Sequence, residues 1–274
     1  MNILFWNTGL TNKRIKNTIE VENCLREIIV EKNIDLLVLA EYNSEIERLC
    51  LQANAQFKPL LNTSKYIKAM INHNYSIETL RDQSRYLIIK ITTVSYTMIV
   101  GMIHNISKLH YGDDDQEAAL ATFHHDLRHL ESEHNCFNTI VVGDFNVNPF
   151  EKACTSARNM HAIPFRDIVT KKVSRKVNKK DCPMFYNPTW KFLSEQSSPY
   201  TTYYCDQTGK QVNYFWYAFD QVVIRPQLIN AFDEEKLTIV TSTQNHALIK
   251  DGKPDKIKYS DHLPLFCVLK EELI

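Results

Sequence analysis

The sequence predicts an α/β protein built as a layered sandwich. Two observations carry this. Buried strand-like runs alternate with helical periodicity up to about residue 142, and beyond it strands separated by long loops dominate. A strictly wound βαβ sheet would keep alternating to its end. The size agrees: 274 residues, 44% of them hydrophobic, bury one large core without requiring a second domain, so residues 1–274 read as a single domain.

The elements follow in order. Ile3 to Trp6 is a buried strand. From about Thr18 to Lys32, the residues Val21, Cys24, Leu25, Ile28 and Ile29 recur at helical spacing. Leu36 to Ala40 is apolar throughout, as in a strand covered on both faces. Ser44 can cap a helix with Ile46, Leu49, Cys50 and Ala53 on one face. Strands are expected around Phe57 to Leu60, Tyr66 to Ile71, Tyr86 to Thr92 and Tyr96 to Ile103. A helix from about Asp113 to Glu131 opens on acidic residues, where the helix dipole favours them. Thr139 to Val142 is a buried strand. Residues 171 to 200 read as polar loop, with Pro183, Pro188 and Pro199, and the stretches Phe215 to Ile224 and Leu263 to Leu269 as strands.

Composition narrows the function. Lys plus Arg number 32 and Asp plus Glu 32, so the chain has no net charge. Non-specific DNA binding usually needs a basic surplus, so a grip on nucleic acid must come from a local patch, or the substrate is small. Seven cysteines are scattered and form no CxxC pair, which fits reduced thiols in a cytoplasmic protein better than disulfides or a zinc cluster. No signal-peptide pattern and no bilayer-length apolar run is present, so no membrane is expected. With six glycines and neither a GxGxxG nor a Walker sequence, a Gly-rich phosphate loop is not expected.

Polar residues stand at the ends of the apolar strands. Asn7 follows the first, Glu41 the second, and His104-Asn105 the run Ile99 to Ile103. Gly143-Asp144-Phe145-Asn146 follows Thr139 to Val142, Asp220 lies beside Val222 to Ile224, and Ser260-Asp261-His262 precedes the last strand. Loops at strand ends let a rigid sheet aim several side chains at one point. Alone, each of these residues is a common turn or capping residue; the ordered set points to an active site. Magnesium takes oxygen ligands, few of them from protein. Glu41 and Asp261 can supply them, with Asn7 as a neutral neighbour. His104 and His262, if protonated, can donate to phosphate oxygens, and Asn146 can do so without charge. Asp144 can orient or deprotonate the attacking water, or protonate the leaving oxygen through a water. Asp220 can hold one histidine in its tautomer and raise its pKa.

The motifs Phe5-Trp6-Asn7-Thr8-Gly9-Leu10, Leu39-Ala40-Glu41, Ile103-His104, Gly143-Asp144-Phe145-Asn146, Phe219-Asp220-Gln221-Val222-Val223 and Ser260-Asp261-His262 together resemble the endonuclease/exonuclease/phosphatase superfamily. That group includes pancreatic-type deoxyribonucleases, AP endonucleases, neutral sphingomyelinases and inositol polyphosphate 5-phosphatases. The resemblance runs from residue 3 to about residue 269, and GDFN and SDH in that order are its most specific parts. It implies a four-layer α/β sandwich, two mixed β-sheets packed face to face with flanking helices. It implies Glu41 as principal ligand of Mg²⁺ or Mn²⁺, with Asn7 and Asp261 nearby. Asp144 and Asn146 would act on the attacking water and the phosphate, and His262 would pair with Asp220 and contact the scissile phosphate. His104 is similar to the first histidine of the deoxyribonuclease and sphingomyelinase branches. AP endonucleases usually have a Tyr there, and tend to carry an Asp where this chain has Gly9; both departures argue against that branch and put a second metal site in doubt.

Other signals are weaker. His125 and His129 share a helix face but lack the HExxH glutamate and a third ligand, so a solvated or half-buried face is the better reading than zinc. His124 lies on the same helix. Lys108 and His110 follow His104 closely and can reach substrate or sit in a surface loop. The run Lys171 to Lys180 holds six lysines and arginines and is followed by Phe185, Tyr186, Trp190, Tyr200, Tyr203 and Tyr204. Such a run is usually a solvated loop; with aromatics beside it, it can also grip phosphates and stack on bases. The expected function is phosphodiester hydrolysis by a nuclease acting on DNA or RNA. The alternatives are a phosphatase or phosphodiesterase for a small phosphorylated molecule or lipid head group, and a catalytically dead binding module, against which the intact residue set argues. Oligomeric state is left open.

Overall fold

The computed structural model describes residues 1–11, 18–43, 45, 46, 48, 49, 56–194, 199–206, 209 and 211–274. Its frame is a pair of mixed sheets. The first has six strands in the order Thr238–Ile239, Leu265–Val268, Asn2–Asn7, Leu36–Ala40, Ile67–Asn72, Phe57–Pro59. The second has seven, ordered Ser76–Gln83, Tyr86–Thr92, Thr97–His104, Thr139–Asp144, Asp220–Ile224, Phe185–Tyr186, Ala162–Ile163.

Period-two alternation distributes the apolar side chains between layers. Ile3, Phe5, Leu36, Val38 and Ala40 point inward, against Leu87, Ile89, Val100, Met102, Ile140, Val142, Val222 and Ile224 of the second sheet. The alternate residues Leu4, Trp6, Leu37 and Leu39 face outward and pack under Val21, Cys24, Leu25 and Ile28 of the helix Thr18–Glu31. On the other side Ile88, Ile99, Val141 and Val223 pack under Leu120, Phe123, Leu127 and Leu130 of the helix Asp113–Glu133. The result is helix, sheet, sheet, helix: the four-layer sandwich with two mixed sheets face to face. Among the described residues, no helix is long and apolar enough to cross a membrane.

Most elements lie where the periodicity puts them. The strands Leu36–Ala40 and Tyr86–Thr92 match residue for residue, and the helix Asp113–Glu133 extends two residues past its expected end. Of the helix expected after Ser44, Ile46 and Leu49 are buried, while Ser44, Cys50 and Ala53 lie outside the described residues. The expected loop at 171–200 is more structured than its composition suggests. Ser174–Val177 and Lys180–Pro183 form a two-stranded hairpin, turning at Asn178 and Lys179 with φ of 50° and 64°. Positive φ at both central residues is what a tight hairpin turn needs. The stretch expected as one strand from Phe215 to Ile224 is two: Trp216–Tyr217, paired with Tyr203–Tyr204, and Asp220–Ile224.

Gly143 has a packing role. The strands Thr97–His104 and Thr139–Asp144 run parallel, with Ile103 opposite Gly143 and His104 opposite Asp144. A Cβ on Gly143 would stand 2.0 Å from the Ile103 carbonyl oxygen. No rotamer relieves a clash with backbone, so the strands must separate at the end that carries His104 and Asp144. Gly143→Ala is expected to destabilise the fold by about 3 kcal/mol or more, the upper end for overpacking. Chemical denaturation would read this as a lower midpoint; a midpoint equal to wild type would contradict the contact.

Candidate active site

One end of the two sheets collects the polar residues that stand at strand ends. Asn7 and Ala40 end adjacent parallel strands of the first sheet, and Glu41 follows directly. His104 and Asp144 end adjacent parallel strands of the second, and Asp220 begins the neighbouring antiparallel strand opposite Asp144. Ser260 to His262 enter just before Leu265–Val268, the other neighbour of the first strand.

Asp144 is the buried hub. One carboxylate oxygen accepts from the Asn7 amide at 2.9 Å and the other from the Asn146 N–H at 2.8 Å. Asn146 turns the chain with φ of 53°, a conformation that asparagine tolerates. Its side-chain amide donates to the Asn105 carbonyl at 2.9 Å, and the Asn105 N–H donates to the Asp144 carbonyl at 2.8 Å. Asn105 therefore clamps the GDFN turn from the strand end beside His104. Burial, reinforced by the charge of Asp220, raises the Asp144 pKa to about 7 despite the opposing bonds from Asn7 and Asn146.

His262 and Asp220 form a bonded pair. His262 Nδ1 lies 2.8 Å and 3.2 Å from the two Asp220 oxygens. The loop beneath is fixed twice over. The Trp6 indole donates to the His262 carbonyl at 2.9 Å; the Ser260 hydroxyl donates to the Asn7 carbonyl at 2.7 Å and accepts from the His262 N–H at 3.1 Å. Burial alone would lower the His262 pKa. The charge and hydrogen bond of Asp220, with Asp144 and Asp261, overcome it and raise it to about 10, so the ring is an imidazolium at neutral pH.

His104 is the opposite case. Burial, with repulsion from Arg85 and His262, lowers its pKa to about 3. Its Nε2 lies 3.6 Å from Glu41 and 3.8 Å from Asp144, too far for good hydrogen bonds. Its Nδ1 is buried without a hydrogen-bond partner among the described residues. The condition under which it would donate as a cation is therefore not met here. It is a neutral ring wedged between two carboxylates and the edge of Tyr66.

Glu41 and Asp261 line a cleft of about 540 Å³ together with Asn7, Asp144, Asn146 and His262. Glu41 adopts φ of 51°, which turns it out of its strand; one carboxylate oxygen accepts from the Thr11 hydroxyl at 3.0 Å, and its side chain keeps 29% exposure. Oxygen donors on flexible carboxylates facing an open cleft fit a hard cation such as Mg²⁺ or Mn²⁺. Asp144, Asp220 and His262 also have ligand atoms within 4.8 Å of one another. That trio suits a metal less well, because Asp220 and His262 Nδ1 are already bonded to each other.

The other cleft wall is aromatic: Tyr203, Tyr214, Tyr217 and Phe219. The Tyr203 ring lies 4.5 Å from that of His262. Of the aromatics noted after the basic run, Tyr203 reaches the cleft, whereas Phe185 and Tyr186 are core. Lys108 also lines it, bonded to Asp113 and Glu151. No residue from Lys171 to Lys180 lines the cleft. Tyr186 pairs with Ile224, which faces Ile140, four residues short of Asp144. The hairpin thus joins the sheet about 13 Å from the Asp144 end. The idea that this run grips substrate beside the site is corrected accordingly. His125 and His129 are solvated, with side chains 85% and 64% exposed.

No protein-family model and no curated protein matches this chain. Solved structures do. A truncated TDP2 from Caenorhabditis elegans superposes with a TM-score of 0.62 at 14% identity, covering 98% of this chain and 96% of that one. TDP2 from D. rerio, complexed with single strand DNA product, gives 0.55 at 16% identity over 97% of each chain. An endonuclease/exonuclease/phosphatase family protein from Bacteroides thetaiotaomicron gives 0.56 at 10% identity over 97% of this chain and 96% of that one. Full-length superposition on these structures, with two mixed sheets in the same sandwich, makes the fold of this chain endonuclease/exonuclease/phosphatase-like.

Proposed function

We propose that this chain hydrolyses phosphodiester bonds with the help of a divalent cation, and that its substrate is a nucleic acid strand. The observation that carries the reading is the pairing of a carboxylate-lined cleft with a buried imidazolium: Glu41, Asp144 and Asp261 face the same space as His262, held by Asp220. Glu41 and Asp261, with Asn7 beside them, would hold Mg²⁺ or Mn²⁺. When bound, such an ion neutralises charge on the phosphate oxygens as it grows in the transition state.

The chain's own residues supply the rest. The His262 ring, fixed through Nδ1, presents Nε2 as a charged donor to a non-bridging oxygen. Asp144, poised near neutrality by burial, accepts a proton from the attacking water, and Asn7 and Asn146 hold its carboxylate in place. His104 stands as a neutral ring between Glu41 and Asp144. The aromatic wall offers flat faces on which bases stack. The similar D. rerio TDP2, complexed with single strand DNA product, supports a strand as ligand.

A second reading has its own support. The cleft is modest in volume, and its one lysine is bound by Asp113 and Glu151. Those features suit a small phosphodiester better than a duplex, whose backbone needs many free cations. A substrate panel decides: single-stranded DNA, RNA, plasmid DNA and a bis-aryl phosphodiester, each with Mg²⁺ and with EDTA. The proposal expects cleavage of a single-stranded substrate that EDTA abolishes. Turnover of the aryl ester alone would move the assignment to the small-molecule reading, and EDTA-resistant turnover would remove the cation.

A further inference from the structure

Arg85 is a cation built into the site from behind. It lies at the turn between Ser76–Gln83 and Tyr86–Thr92, at the level of His104, because Tyr86 pairs with Ile103. Its guanidinium sits 3.6 Å from the centroid of the Tyr66 ring, and the Tyr66 ring in turn meets His104 edge-on at 5.9 Å. Both residues of the stack are wired to the site through backbone. The Arg85 carbonyl accepts from the His104 N–H at 2.9 Å, and the Tyr66 carbonyl accepts from the Glu41 N–H at 3.3 Å.

The platform is rigid. The buried Ser64 hydroxyl donates to the Ser84 carbonyl at 2.6 Å and accepts from the N–H groups of Tyr66 and Ile67 at 3.1 Å and 3.2 Å. Thr63 N–H adds a bond to Asp82 at 2.7 Å. The turn carrying Arg85, in one sheet, is thus fastened to the segment carrying Tyr66, in the other. Among the described residues no carboxylate pairs with Arg85, and its half-buried side chain has no hydrogen-bond acceptor. A guanidinium held over an aromatic ring still has N–H donors to offer, and a pair of them matches two phosphate oxygens. A half-buried cation with no carboxylate in ion-pair reach keeps its charge available for an incoming anion.

We infer that Arg85, stacked on Tyr66, binds a second phosphate of the substrate, next to the one cleaved at Glu41 and Asp144. This rests on the phosphodiesterase reading and deepens it: the substrate carries at least two phosphates, as a strand does. Tyr66 and Arg85 lie beyond the lining of the cleft, joined to it through Glu41 and His104, while the aromatic wall stands beside His262. A strand crossing the carboxylates would then place a base against the aromatic wall and its neighbouring phosphate at Arg85.

The test compares wild type with Arg85→Gln, and with Arg85→Met, which keeps an apolar stem packed on Tyr66 without the charge. Binding of a fluorescein-labelled single-stranded hexanucleotide is followed by anisotropy in EDTA across a salt series. Hydrolysis of the same strand and of a bis-aryl phosphodiester is followed with Mg²⁺. A lost phosphate contact is expected to weaken strand binding about tenfold and to flatten the salt slope by about 0.7. Turnover of the single-phosphate aryl ester should stay within about twofold of wild type. Unchanged strand binding, or equal losses on both substrates, would overturn the role of Arg85. If wild type hydrolyses neither substrate, the phosphodiesterase reading fails on its own, and the EDTA binding series still decides whether Arg85 holds a phosphate. A variant that melts early is set aside for the other, since Gln and Met remove the same charge by different shapes.

Discussion

Glu41→Ala is expected to reduce hydrolysis by about a thousandfold or more and to abolish binding of Mg²⁺ or Mn²⁺, while the protein melts close to wild type. The size follows from the several kcal/mol that a cation contributes to a phosphoryl transition state, at about 1.4 kcal/mol per factor of ten. Glu41 stands at the end of a buried strand but turns outward into the cleft, and its contact with Thr11 is at the surface. Truncation therefore removes a ligand without opening a cavity. Glu41 already adopts a positive φ, and Ala there carries a similar backbone cost, so the substitution adds little strain. Calorimetric titration with Mn²⁺, steady-state rates and a melting curve test the three parts together. Metal affinity equal to wild type would remove Glu41 as a ligand, and activity retained within about tenfold would remove it from the chemistry.

For Asp220→Asn a fall in kcat of about a hundredfold to ten-thousandfold is expected, the range for losing a positioned acid or base, with KM changed much less. Asp220 is fully buried and lies behind His262 rather than in the cleft lining, so it is a positioning residue. Its carboxylate accepts from Nδ1 at 2.8 Å and is the main influence raising the His262 pKa. An amide brings no charge to favour the imidazolium, so the ring becomes a neutral imidazole; if the amide offers its NH₂ to Nδ1, the proton stays on Nε2 as a weaker, uncharged donor, and if it offers its oxygen, Nε2 is left without a proton. Folded-state stability should change less than activity, since Asn fills the same space in the same strand register, opposite Asp144. A loss confined to KM would mean that Asp220 helps hold substrate, and nitrogen chemical shifts of His262 that do not move between wild type and variant would sink the pairing.

Much of this was legible in the residues. The run Leu36 to Ala40 is apolar at every position because both of its faces are covered, one by the opposing sheet and one by the helix Thr18–Glu31. Glu41 and His104 could be placed at strand ends because each breaks such a run. The strand Ser76–Gln83 was not legible: it is the outer edge of its sheet, largely exposed, and broken by an irregularity between Thr79 and Arg81, so SIETLRDQ carries little alternation. The pair Tyr203–Tyr204 and Trp216–Tyr217 was legible only in part, since Trp216–Tyr217 falls inside the expected strand Phe215 to Ile224 and Tyr203–Tyr204 does not. Two-residue strands have no period, and their partners are distant in sequence.

What the sequence by itself determined is the set of strands and the chemical kind of residue at each end, since apolar runs and their polar stops are local properties. What only the tertiary structure decided is how those residues differ from one another. His104 and His262 are both histidines beside strands, yet one is buried without a carboxylate partner at its free nitrogen and stays neutral, while the other is buried against Asp220 and stays charged. The basic run likewise looks adjacent to the aromatic segment along the chain, but strand direction carries it to the far end of the sheet. Arg85, unremarked in sequence, arrives behind His104 because a turn of one sheet is pinned to an edge of the other. Burial and the choice of neighbour set a side chain's charge, and neither exists until the two sheets have packed.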